Sequence, residues 1–422
     1  MGPPAVCRTR ADLRRRWPDR RFPPLVLPVL CRMEWRQRSA GTGCRVTPFM
    51  QFTFNEEETL LQESVSGFLA SHGSSAAVRS AMDSELGYDP VLWRAIVSEM
   101  GMGGIAFPAR LGGAEMGHVG LVIAMMEMGR VLLPSPYFSS IALAAQAILN
   151  AGTEAQQDAL LPAIITGDTI ATLAWRGVER TPAIAVRIGQ DGTLNGEAGF
   201  VPYAHVSGLL VVAAKADDGK TVLAAIPADS AGVTIERHVS MDLTRPLSTV
   251  RFAGVAVAQD QILGGAGDAA AALERTLDLA RIALAAENAG GAEGVLDMTV
   301  AYTKDRVQFG RPIGSFQALK HRMADMMVEV ETAKTGAYYA ACVVDEGSDE
   351  LAEAAAIANS YSADAFMGAA GNAIQLHGGI GFTWEYDAHL FFKRARANAI
   401  LLGDPSSQRV RIADMIGVDK VA

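Results

Sequence analysis

Two stretches of this sequence set side chains with planar donors beside glycines. Arg306-Val-Gln-Phe-Gly-Arg-Pro-Ile-Gly-Ser-Phe-Gln317 is one, and Gln375-Leu-His-Gly-Gly-Ile-Gly381-Phe is the other. A guanidinium is a rigid fork of donors that fits phosphate oxygens. A glutamine amide both donates and accepts, and paired glycines clear side chains where backbone must approach a ligand closely. The plain structural alternative is a helix end closed by Gly310 and Pro312, with Gly378-Gly379 as an ordinary turn. Among the ionisable residues, Asp404 directly precedes Pro405, the pattern of an N-cap before proline at the first helical position. Arg281 lies three residues beyond Asp278, the spacing of an ion pair on one helix. Glu287 reads as a packing or interface ion pair, and His377 as a hydrogen-bonded structural histidine.

The elements that must position these residues can be read from periodicity. Asn55 and Glu58 form a capping-box pattern ahead of a stripe of Leu61, Val65, Phe68 and Leu69. Further helical stretches are predicted at 90–101, 118–131, 137–151 and 154–166, the last opened by the capping signature Thr153-Glu-Ala-Gln156. Near 169 the period changes to two. Ile184–Ile188, Leu209–Val212, Val222–Ile226 and Val250–Val257 alternate with turn clusters such as Gln190-Asp-Gly192 and Asp217-Asp-Gly219. After Gly264-Gly265 long helices return at 268–304, 316–345, 350–375 and 388–401, with a last one after Pro405. The expected architecture is α+β and multidomain: a helical domain over 50–168, a central antiparallel β domain over 169–260, and a four-helix bundle over 265–422.

Composition narrows the classes. The 422 residues carry a formal net charge of −9, which argues against a nucleic-acid partner. No uncharged apolar run approaches the roughly 18 residues of a membrane span. Cys7, Cys31, Cys44 and Cys342 have no metal-type spacing and imply neither a metal site nor a disulfide framework, which points to a reducing, cytoplasmic setting. Residues 1–49 differ from the rest, with eleven arginines against three acidic residues. They read as a non-native extension ahead of a start at Met50, as a basic tail for an acidic partner, or as a mitochondrial transit peptide that would place the chain in the matrix.

The 306–317 and 375–382 stretches closely resemble the two C-terminal motifs of acyl-CoA dehydrogenases. The order of helices, sheet and helices fits that family over nearly all of the chain beyond residue 49. The resemblance implies FAD at a subunit interface, contacted by Arg306, Gln308, Phe309, Gln317, Gln375, Gly378 and Gly379 while bound mainly by the neighbouring subunit. It implies α,β-dehydrogenation of a fatty or sterol-type acyl-CoA, a homotetramer or heterotetramer with a homologous subunit, and an electron-transfer flavoprotein as acceptor. The acyl pocket would be lined from 95–108 and 132–145.

Two departures matter. The stretches corresponding to the family's flavin-ring contacts are Thr172-Leu-Ala-Trp-Arg-Gly177 and Phe200-Val-Pro-Tyr203. The first lacks the family's acidic and glycine pattern, and in the second Pro202 stands where a threonine would donate. The catalytic glutamate is also missing. Its usual position, counted without a gap from Gln375, is Leu402, and the alternative, just before an arginine on the first long helix, is Ala280. Neither side chain can accept a proton. Arg281 matches an arginine the family keeps near the thioester. The sequence therefore resembles the glutamate-lacking subunit type of bacterial heterotetramers. The alternatives are a self-sufficient dehydrogenase with Asp404 as relocated base, or a flavin monooxygenase on the same fold.

Overall fold

The structure, a computed structural model, describes residues 54–178, 183–265 and 267–418; the readings of residues 1–49 fall outside them. Helix α1 (Glu56–His72) starts at a reciprocal cap. The Asn55 side chain accepts the Glu58 N–H at 2.9 Å, and the Glu58 carboxylate accepts the Asn55 N–H at 3.0 Å. Its buried stripe is Leu61, Val65 and Leu69. There follow α2 (Ser75–Asp83), α3 (Pro90–Arg94), α4 (Gly117–Arg130), α5 (Gln146–Ala151) and α6 (Glu154–Ile165). The expected helices at 90–101 and 137–151 are interrupted by π-helical turns at Ala95–Glu99 and Phe138–Ala145. Helix α2 is an addition to the expected set, since its serine- and alanine-rich sequence buries only Val78, Ala81 and Met82.

The central sheet is mixed, which corrects the expected antiparallel domain. Its strands are β1 (Ala171–Ala174), β2 (Arg187–Ile188), β3 (Thr193–Pro202), β4 (Leu209–Ala216), β5 (Thr221–Pro227), β6 (Val233–Arg237) and β7 (Leu247–Ala256). Both β1 and β2 run parallel to β4, whereas β4–β5, β2–β3, β3–β7 and β6–β7 are antiparallel. Turn chemistry reveals neighbouring hairpins, but a parallel pair needs a long crossover, and the β1–β4 pairing spans everything between. Only Arg187–Ile188 of the expected strand at 184–188 is paired. Strand β4 shows why the sheet is buried on both faces. Leu210, Val212 and Ala214 enter the sheet's own core, while Val211 and Ala213 pack into the helical core.

The bundle comprises α7 (Ala270–Asp305), α8 (Gln317–Asp345), α9 (Leu351–His377), α10 (Ala388–Leu401) and α11 (Pro405–Ile416), with a short hairpin of β8 (Val307–Gln308) and β9 (Arg311–Pro312) between α7 and α8. Helix α7 crosses α4 at backbone contact. A Cβ on Gly129 would lie 2.2 Å from the Glu287 carbonyl oxygen, and one on Gly290 would lie 1.8 Å from that of Met126. This crossing fixes the middle of α7, which carries Ala280, Arg281 and Glu287 in a buried run. No helix among the described residues is long and apolar enough to cross a membrane.

Candidate functional site

The first motif is a helix stop followed by a two-residue hairpin. Gln308 pairs with Arg311 and Val307 with Pro312, and the Ile313 N–H closes on the Arg306 carbonyl at 2.8 Å. The hairpin's central residues, Phe309 and Gly310, have φ of 54° and 76°, as a primed turn requires. Glycine takes this conformation freely, but a phenylalanine there is strained. The Phe309 ring is 92% exposed, in edge contact with Phe316, over which the Arg311 guanidinium sits at 4.0 Å. Arg306, Gln308 and Gln317 are exposed around it.

The second motif ends α9. Gly378, with φ 65° and ψ −142°, turns the chain in a way an L side chain resists, while its N–H closes on the Gln375 and Ile374 carbonyls. At Gly379 an added Cβ would meet nothing within 4 Å. The chain's own packing gives no reason for a glycine there, so the clearance faces outward. Gln375 is exposed. The two motifs share one end of the bundle: the Tyr302 ring stacks on His377 at 4.2 Å, its hydroxyl donates to the His377 carbonyl at 3.3 Å, and Tyr386 packs against both. His377 Nδ1 donates to the Ala373 carbonyl at 2.7 Å, and burial pushes its imidazole below its ordinary pKa. Its packing and hydrogen bond are those of a structural residue.

The stretches at 172–177 and 200–203 are organised differently. The Thr172 hydroxyl donates to the Pro202 carbonyl at 2.7 Å, the Gly199 N–H to the Arg176 carbonyl at 2.9 Å, and the Gly177 N–H to the Ala183 carbonyl at 2.8 Å. Arg176 is 8% exposed. Its guanidinium lies 5.0 Å from the Phe200 ring centre, and Nη1 reaches the Ile400 carbonyl at the end of α10, 3.5 Å away.

The two positions expected for the glutamate, far apart in sequence, are linked through Arg281. Ala280 and Leu402 are both buried, and Arg281, next to Ala280, donates from Nε to the Leu402 carbonyl at 3.2 Å. Gln408 Nε2 donates to the same oxygen. The carboxylate at this spot is Asp278, held by Arg281 at 2.6 Å and by Arg411 through both of its oxygens. Arg281, a substrate-contact candidate by resemblance, is thus engaged on its own helix. Asp404 is exposed and accepts the Ser407 N–H at 2.7 Å as the N-cap of α11.

The ion pair expected for Glu287 is present, but sequence reasoning did not identify its partners. Glu287 pairs with Arg245, from the loop before β7, and with Arg394 of α10 at 2.8 Å, and accepts from Asn398 at 3.0 Å. Arg394 also donates to the Thr244 hydroxyl and carbonyl and faces Asp242 at 3.3 Å. Burial alone would raise the Glu287 pKa, but Arg245, Arg394 and Asn398 outweigh it and hold the carboxyl below its ordinary value. Nothing in the spacing of 245, 287 and 394 announces the cluster. The cavity beside it, lined from Met125, Leu133, Tyr137 and Phe138 as well, measures about 10 Å³, room for one water. A cleft of about 580 Å³ around Trp93, Asp168 and Val206 opens elsewhere, and none of the motif residues lines it. Among the described residues, no group of His, Cys, Asp and Glu could hold a metal ion.

Comparison with known proteins agrees with the fold. Residues 55–168 match the acyl-CoA dehydrogenase N-terminal domain and residues 269–417 its C-terminal domain. The chain is 36% identical over 359 residues to acyl-CoA dehydrogenase IpdE2 of Mycolicibacterium smegmatis, covering 85% of this chain and 98% of that protein. Among solved structures, the Tcur3481-Tcur3483 steroid ACAD superposes with a TM-score of 0.78 at 31% identity, over 87% of this chain and 99% of that one. The ChsE4-ChsE5 complex of Mycobacterium tuberculosis superposes with 0.81 at 27%, over the same shares. The chain belongs to the acyl-CoA dehydrogenase family, FAD-dependent oxidoreductases that act on acyl-CoA thioesters.

Proposed function

We propose that this chain is the base-lacking subunit of a heteromeric acyl-CoA dehydrogenase, contributing FAD contacts to a homologous subunit that carries the catalytic glutamate. The observation that carries this reading is that both expected base positions, Ala280 and Leu402, are buried and aliphatic. Arg281, next to Ala280, donates to the Leu402 carbonyl, and the carboxylate it holds, Asp278, is paired with Arg411 as well. Bound FAD would accept the hydride leaving the β-carbon of the acyl-CoA. This chain's part is to hold it: Arg306 toward phosphate oxygens, Gln308, Gln317 and Gln375 toward polar edges, Phe309 as an apolar wall, and Gly378-Gly379 as open backbone. The residues fit that task, because they are exposed at one end of the bundle and the clearance at Gly379 faces outward.

The substrate class we assign is a steroid-derived or comparably bulky acyl-CoA, supported by the steroid ACAD among the similar structures; an electron-transfer flavoprotein is the assigned acceptor. Co-expression with a glutamate-bearing homologous subunit tests the reading. A co-purifying complex should turn over, and replacing the other subunit's glutamate should abolish turnover. A lone homo-oligomer that holds FAD tightly and dehydrogenates acyl-CoA would overturn it.

A further inference from the structure

We infer that Arg176 is a plug that closes this chain's own flavin-ring cleft, and that removing it opens a slot for a planar heteroaromatic ligand. The inference rests on the reading above in taking the exposed bundle end as the working half of the cofactor site and the assembly as heteromeric.

The junction between the sheet and the bundle where Arg176 lies has two walls. One is the chain after β1 together with the Gly199–Phe200 irregularity of β3; the other is the C-terminal end of α10. A flat, polar-edged ring entering such a gap needs a face to stack on, donors along its edge, and space. The face exists, since Phe200 is held at φ 54°, but the Arg176 guanidinium, itself a flat cation, already lies over it. With the slot filled, its donors turn to carbonyls of the chain itself. The Thr172 hydroxyl goes to Pro202, the Gly199 N–H to Arg176, and the Tyr203 N–H to Pro246, while Pro202 has no N–H. The space is bridged from wall to wall by the Arg176 contact to the Ile400 carbonyl.

That last contact explains why the plug stays in place. The final carbonyls of a helix have no partner within the helix, and a cation there also complements the helix dipole. Arg176 serves the end of α10 from the sheet side, while Arg281 and Gln408 hold the next turn through the Leu402 carbonyl. A side chain that stacks on one wall and caps the other is displaced by a ligand only if both contacts are replaced.

The test counts flavin in the assembled complex of full-length chains, by acid release and absorbance. The native complex should carry one FAD for each pair of unlike chains, and equilibrium dialysis against excess FAD should not add a second. Arg176→Gly should let the count under excess FAD approach double. Arg176→Met, which keeps bulk in the gap while losing the cap, should leave it unchanged. A native complex that takes up a second FAD, or a folded Arg176→Gly complex that does not, overturns the inference. If Arg176→Gly fails to fold, the dialysis of native protein and the Met variant decide alone: a second FAD in either overturns the inference, and its absence from both supports it. Arg306→Ala, run alongside, separates this from the proposed function. Loss of the first FAD there, with no gain in Arg176→Gly, would leave the contributed site standing and remove the plug.

Discussion

The bundle end around Arg306 and the junction around Arg176 use similar residue types to opposite ends. At the bundle end an arginine, three glutamines and an aromatic ring are exposed, and Phe309 accepts a left-handed backbone in order to point outward. At the junction the arginines are buried and engaged: Arg176 with Phe200 and Ile400, Arg281 with Asp278 and Leu402, Arg245 and Arg394 with Glu287. The contrast follows from desolvation. A buried polar group without a partner costs about 1–3 kcal/mol, so buried donors at the junction pair within the chain. A surface completed by a neighbouring subunit can keep its donors in water until assembly.

The comparison predicts that junction variants act on stability and bundle-end variants on flavin. The largest effect should come from Glu287→Gln, which removes one charge, keeps the shape, and leaves two buried guanidiniums facing Asp242 alone. Breaking a buried pair in this way costs about 3–5 kcal/mol, measurable as a shift in denaturant midpoint. The pH dependence has a definite sign. The folded pKa of Glu287 is depressed, so its stabilisation is complete above the unfolded value of about 4.3 and is lost as pH falls through the folded one. The Gln variant should lose less stability than the native chain across that acidic window. A loss of only a few tenths of a kcal/mol at neutral pH would mean the junction is not locked.

Arg306→Ala should do the reverse. A charge-assisted contact is worth about 1.5–3 kcal/mol, so FAD should bind the complex about ten- to a hundredfold more weakly, with the unfolding of this chain unchanged. Loss of stability without loss of flavin would make Arg306 merely structural. Phe309→Gly is smaller. It relieves a left-handed residue, worth about 1 kcal/mol, and removes the ring's edge contact with Phe316. The chain should therefore be no less stable, while flavin retention falls a few fold. A destabilised chain would show that the ring's role is internal.

What the sequence made legible, and what it hid, divides by range. The capping boxes at Asn55 and Thr153, the cap at Asp404 and the i,i+3 pair of Asp278 and Arg281 are local, and each is present. The π turns within the expected helices at 90–101 and 137–151 depend on how those segments pack, and periodicity does not register them. The parallel pairing of β1 with β4, the Arg281 contact to Leu402 and the cluster of Arg245, Glu287 and Arg394 join residues far apart in sequence. Arg176 is the sharpest case. In sequence it is only a departure from a motif, and its role depends on a carbonyl at the far end of α10.

The smallest expected effect is that of Asp404→Asn, and it bears on the comparison because Asp404 is the carboxylate nearest the usual glutamate position in sequence. If it were a relocated base, the junction would be a working active site and the contrast with the bundle end would collapse. Its geometry favours the other role: the side chain accepts the Ser407 N–H at 2.7 Å, at the positive end of α11, and faces solvent. Asparagine presents the same oxygen and caps about as well, losing only the charge–dipole contribution of about 0.3–1 kcal/mol. Turnover by the assembled complex should change by a few fold at most. A base displaced from its proton by even an ångström costs roughly a hundredfold, and an aspartate two residues along, one methylene shorter and tied to a helix end, has no ready way to recover that distance. A fall of several orders of magnitude in turnover, with fold and flavin count preserved, would instead establish this chain as the catalyst and the bundle end as its accessory.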